Sequence, residues 1–163
     1  MISNDVFRRL RYALDLDDRA MQALFALADE PLTLGELASY LKKEEDPGFA
    51  PMDEAVLERF LDALIVQKRG ARPGAPAPVQ KPYATLTNNA ILKKLRVALQ
   101  LRDEDVLAVM ALAKVQISKS ELAALFRNED HRNYKPCGDQ FLRQFLSGLP
   151  LYIRRGSATP SSR

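Results

Sequence analysis

The sequence predicts an all-α protein made of two homologous repeats, each of about four short helices. Three observations lead there. Slid by 85 positions, residues 4–69 lie on 89–154 without a gap, with 21 identities in 66 pairs. A match that long marks an internal duplication. Apolar residues recur at helical spacing in both copies, and no stretch reads convincingly as a strand. Between the copies lies a proline-rich stretch, ARPGAPAPVQKPYAT. The expected organisation is an acidic first repeat over 1–70, a linker over 71–85, a basic second repeat over 86–156 and a disordered tail over 157–163. At ~3.1 Å per residue in polyproline geometry, the linker spans roughly 45 Å.

The elements follow in order. Val6, Phe7, Leu10, Ala13 and Leu14 share one helical face, and Asn4 stands where an N-cap belongs. Asp17 or Asp18 opens a second helix with Met21, Leu24, Phe25 and Ala28 inward, and Pro31 follows its end. Thr33-Leu34-Gly35-Glu36 has the spacing of a capping box, as does Ser118 to Glu121 in the second copy. The helix that follows buries Leu37 and Leu41. Asp46-Pro47-Gly48 is a turn, and Asp53 caps a fourth helix carrying Val56, Leu57, Phe60, Leu61 and Leu64. With 7% aromatics and no Trp, one repeat of ~65 residues has a small core and is marginal alone.

The runs LRYALDL, ELASYLKKEEDPGF and LERFLDALIVQKRG resemble the YehS-like family of uncharacterised bacterial proteins, built from a duplicated domain of unknown function. The resemblance covers both repeats. It implies a bacterial cytoplasmic protein and brings no activity, so no functional residue is carried over from it. The second copy departs from the first at HRNY, where the first reads DPGF. The proline-glycine turn is lost there, which argues against one ligand shared by both loops.

Composition excludes several kinds of function. The chain has one cysteine, Cys137, and one histidine, His131. An intrachain disulfide and a His- or Cys-rich zinc site are both excluded. Glu44, Glu45 and Asp46 lack the alternating carboxylates and closing glutamate of a calcium loop. No metal and no cofactor is expected. The longest apolar run, Val106 to Ala113, is far short of the ~20 residues of a membrane helix. No signal peptide is evident, so no membrane is expected and the location reads as cytoplasmic. A Ser-His-Asp or Cys-His arrangement would require His131 and would exist in one repeat alone; Cys137, six residues away, makes a dyad conceivable.

Charge divides the chain. Residues 1–70 hold 9 Lys+Arg against 14 Asp+Glu, a net of −5, while residues 86–156 hold 12 against 7, a net of +5. Any attraction to nucleic acid therefore resides in the second half. Its candidate contacts are Lys93, Lys94, Lys114, Lys119 and Arg127. The second and third helices form a hairpin of helix-turn-helix type, but the glutamates Glu36 and Glu121 stand where a DNA reader needs a donor. Arg11 and Arg96 remain arginine at the edge of the apolar face in both copies. A guanidinium there forks to a carboxylate, and the acids kept in both copies are Asp18/Asp103, Glu36/Glu121 and Glu44/Glu129.

The functional expectation is a non-enzymatic binding or adaptor module, with a protein partner or self-association first. Nucleic-acid binding by the basic repeat is the alternative, and an enzyme using His131 and Cys137 the remote one.

Overall fold

The computed structural model describes residues 1–69 and 85–158. Eight helices make up the described chain, with no strand among the described residues: α1 Ser3–Leu14, α2 Asp18–Leu27, α3 Leu34–Leu41, α4 Glu54–Arg69, α5 Asn88–Leu99, α6 Asp103–Leu112, α7 Lys119–Leu125 and α8 Asp139–Ala158. The second four repeat the order and approximate lengths of the first. The expected linker lies outside the described residues apart from Thr85, and so does most of the expected tail. Helix α8 nevertheless runs on to Ala158, past the point where the tail was expected to begin.

Local signals set the boundaries. Asp17 accepts the Ala20 N–H at the start of α2. Thr33 and Ser118 form complete capping boxes with Glu36 and Glu121. Helices α1 and α5 end on a left-handed residue, Asp15 (φ 53°) and Gln100 (φ 54°), and α2 and α6 are followed by another such pair, Asp29 and Lys114. These are paired positions of the duplication, so both copies turn at the same places without glycine.

The first repeat centres on Phe7, Phe25 and Phe60. Phe7 meets the other two edge-on at 5.8 and 5.0 Å, and Tyr40 stands edge-on to Phe7 at 6.5 Å. The second repeat fills the same positions with Leu92, Met110, Phe145 and Leu125, all buried. One core design is thus carried out with aromatics in one copy and mostly aliphatics in the other.

The repeats pack against each other as crossed counterparts. Helix α4 lies along α5, the most extensive helix pairing among the described residues, and α1 lies along α8, a pairing matched in extent only by that of α6 with α8. Helix α2 packs on α4 and α3 on α1, while α6 packs on α8. Buried residues from both repeats form one continuous core. Pairing of the repeats explains why α5 is buried on more than its apolar stripe, with Ala90, Ile91 and Lys94 enclosed as well as Leu92, Leu95 and Ala98.

Lys94 corrects a sequence expectation. It is 5% exposed, its ammonium pairs with Asp62 and stands 3.6 Å from Glu58, and both carboxylates come from α4 of the other repeat. It is therefore a bond between repeats and is withdrawn from any nucleic-acid surface. The symmetry-related site is polar but weaker: Arg9 donates to Ser147 at 3.4 Å. Nearby, the Arg154 guanidinium donates to the Tyr12 hydroxyl at 2.8 Å, again joining α8 to α1.

Gly148 marks a close crossing of α8 with α6. A Cβ on this buried α8 residue would stand 2.1 Å from the Val109 carbonyl oxygen of α6. Alanine would gain about 1 kcal/mol of helix propensity but force the two backbones apart. Gly148→Ala is expected to lower stability by about 1–3 kcal/mol net. A thermal melt that rises instead would show that α6 and α8 separate freely.

Candidate functional site

Asn4 and Asn89 are the residues that shape the surface loops. Asn4 is not the N-cap that its position suggested, because α1 already begins at Ser3. Its side chain is buried, donates to the carbonyls of Tyr40 and Ala50, and accepts the Met52 N–H at 2.9 Å. Asn89 does the same in the second repeat, donating to Leu125 and Lys135 and accepting from Cys137. One amide satisfies three backbone groups that would otherwise be buried without partners. Each clamp ties the first helix of its repeat to the long loop before the last helix, and so positions everything that loop carries.

Of the acids kept in both copies, Asp18 and Asp103 face the retained arginines. Arg11 reaches Asp18 at 2.9 Å and Arg96 reaches Asp103 at 2.6 Å. Arg96 also donates to the Leu101 carbonyl and covers the Phe126 ring at 4.6 Å. Glu36 and Glu121 do not pair with these arginines; each is taken up by its capping box. The Ser118 amide accordingly holds the Glu121 carboxyl below its usual range. Glu44 and Glu129 are exposed, without an ion pair to either arginine.

The α2–α3 and α6–α7 hairpins have different faces. On the first, Leu27 is 49% and Leu34 56% exposed. On the second, Leu112 is half-buried, Lys119 stands exposed where the first has Leu34, and Lys114 stands exposed just after α6. The remaining basic candidates, Lys93 and Arg127, lie apart from this hairpin. They line a cleft of about 340 Å³ with Thr87, Asn128, Glu129 and Tyr134. A second, smaller cleft of about 200 Å³ lies between Ile117, Leu125, Pro136, Cys137 and Phe141.

A family described as a protein of unknown function (DUF1456) matches the chain twice, over residues 3–70 and 88–156. The chain belongs to this family. It is 40% identical over 158 residues to the uncharacterized protein YehS of Escherichia coli (strain K12), a match that covers 96% of the chain and all of the relative. No solved structure matches. The two matched segments coincide with the two four-helix repeats.

His131 and Cys137 are not assembled as a nucleophile and base. Cys137 is buried at the loop end, where loss of solvent, with a smaller contribution from Asp139, pushes its thiol up to about 11. His131 is exposed, and its Nδ1 accepts the Asn133 N–H at 3.0 Å. A nucleophilic cysteine needs the opposite shift. Among the described residues no group of three His, Cys, Asp or Glu could hold a metal ion, and no helix is long and apolar enough to cross a membrane.

At pH 8 a thiol of this pKa is about one part in a thousand thiolate, against about one in ten for an ordinary cysteine. Iodoacetamide is expected to alkylate folded Cys137 about a hundredfold more slowly than the urea-unfolded chain. Equal rates would restore the thiol as a candidate nucleophile.

Proposed function

We propose that the chain is a non-enzymatic cytoplasmic binding module that acts through protein contact, its contact surface being the α2–α3 hairpin of the first repeat. The observation that carries this reading is the exposure of Leu27 and Leu34 on a hairpin held to the core by Met21, Leu24 and Phe25 of α2 and Leu37 of α3. Ala23, Ala26 and Ala38 are exposed on the same two helices. Small residues around two large apolar ones make a surface that a partner's apolar side chains can cover. The counterpart hairpin, with Lys119 in place of Leu34, lacks this character. The protonated thiol of Cys137 and the engaged Nδ1 of His131 support the non-enzymatic part of the reading.

Leu27→Asp with Leu34→Asp tests it, since both positions are exposed and the fold should survive. Wild-type protein is expected to self-associate in sedimentation velocity or to retain specific proteins from a bacterial lysate, and the double variant to lose that by about tenfold or more. Indistinguishable profiles would refute the surface.

The second repeat favours a second reading, nucleic-acid binding, through Lys114 and Lys119 at the exposed α6–α7 hairpin. Fluorescence anisotropy with labelled duplex and single-stranded oligonucleotides should then show affinity that falls steeply between ~50 and ~200 mM salt. It should weaken further in Lys114→Gln/Lys119→Gln. No binding at ~50 mM salt excludes this reading.

A further inference from the structure

The duplication supplies an internal control for the Lys93–Arg127 cleft. In the first repeat the corresponding place is closed by its own side chains. Arg8 pairs with Asp5 one turn earlier on α1 and also donates to the Lys42 carbonyl at 2.8 Å. Lys42 in turn folds onto the Pro47 carbonyl at 2.8 Å. In the second repeat Lys93 stands for Arg8 and Arg127 for Lys42, but Ala90 stands for Asp5. With that carboxylate gone, Lys93 is exposed and has no ion-pair partner among the described residues. Arg127 has only a long contact, 3.4 Å, to the Asn133 carbonyl. Glu129, the one acid of the lining, pairs with neither cation.

We propose that this cleft binds a small phosphorylated ligand, its phosphate held by Lys93 and Arg127 and its body resting against Tyr134. Lys93 and Arg127 together outweigh the Glu129 carboxylate and leave the cleft net positive, which favours a phosphate, and the planar guanidinium fork matches two phosphate oxygens at once. The volume, about 340 Å³, is at the small end of ligand pockets and suits a mononucleotide-sized molecule. Tyr134 supplies a half-buried ring. Burial, and then the nearby Glu129 charge, raise its phenol above the usual value, and like any neutral phenol it can donate a hydrogen bond. The Asn89 clamp holds the chain on both sides of the cleft, at Leu125 and Lys135, so the site is built before any ligand arrives. This site is separate from the α2–α3 surface, and its failure would leave that reading intact.

The test is an NMR titration of the ¹⁵N-labelled full chain with inorganic phosphate, AMP and adenosine at ~50 mM salt. Phosphate and AMP are expected to give saturable shifts at residues 87–93 and 126–134, and adenosine none. Lys93→Gln with Arg127→Gln should weaken AMP about tenfold or more. Ala90→Asp should do the same while retaining both cations, by restoring the pair found in the first repeat. Lys42→Gln, in the first repeat, should leave affinity unchanged. The spectra themselves report whether each variant is folded, and the Lys93/Arg127 pair decides if Ala90→Asp is not. The proposal is overturned by the absence of saturable shifts up to ~20 mM ligand, by undiminished affinity in the Lys93/Arg127 variant, or by adenosine binding as well as AMP. An oligonucleotide that shifts these residues when neither phosphate nor AMP does would also overturn it, in favour of a nucleic-acid contact.

Discussion

The pairing of each repeat's first helix with the other repeat's last helix is the constraint on which the rest depends. A unit of ~65 residues with so few aromatics encloses too little apolar surface to be secure alone. Laying α4 on α5 and α1 on α8 merges two small cores into one, and it uses faces that each repeat would otherwise leave in water. The polar groups caught in this contact are matched. Lys94 lies between Glu58 and Asp62, so desolvation of its ammonium is offset by two carboxylates. The related site has Arg9 and Ser147 instead, because the acids of α4 have become Arg143 and Ser147 in α8. The acidic and basic halves thus leave a specific trace at their junction, where one of the two related sites is a triad of opposite charges and the other a guanidinium–hydroxyl contact with no carboxylate.

What the copies share and where they differ separate scaffold from surface. Shared features are inward or local: the asparagine clamps, the capping boxes, the Arg–Asp pairs and the left-handed turns. Each satisfies backbone groups or holds one element against the next, and the clamps and ion pairs keep the same residue types in both copies. The differences that change the exposed character fall on the hairpins, on the first helix and on the loop before the last helix. Leu34 becomes Lys119, and Asp5 becomes Ala90. A frame built twice, with different surfaces mounted on it, accommodates two different contacts in one small protein.

Much of the architecture was legible in the residues. Helical periodicity, two capping boxes and an ungapped internal match suffice for an all-α duplication, because these signals are local or need only a comparison of the chain with itself. The arginine at the edge of the apolar face was legible as an ion-pairing group, but three acids were equal candidates. Asp18 was singled out only by the turn that returns α2 beside the end of α1. The position of Asn4 along the chain suggests only a cap. Its retention as Asn89 was the available signal for a more demanding role, since an exposed cap tolerates Ser, Thr or Asp, whereas a buried group bonding two carbonyls and one amide needs both ends of an amide.

Lys93 and Lys94 show most clearly where sequence reasoning ends. Neighbours in a basic run, they look alike along the chain. Residue type, spacing and charge were enough for the helices, their caps and the inward stripe of each repeat, because those follow from backbone geometry and the burial of apolar side chains. Which of two adjacent lysines is buried depends on what lies opposite in space, here the one helix that covers it. Helix α4 covers Lys94 and supplies its carboxylates, while the missing acid at Ala90 leaves Lys93 to solvent. That distinction comes from the packing of one repeat on the other, which no local pattern encodes.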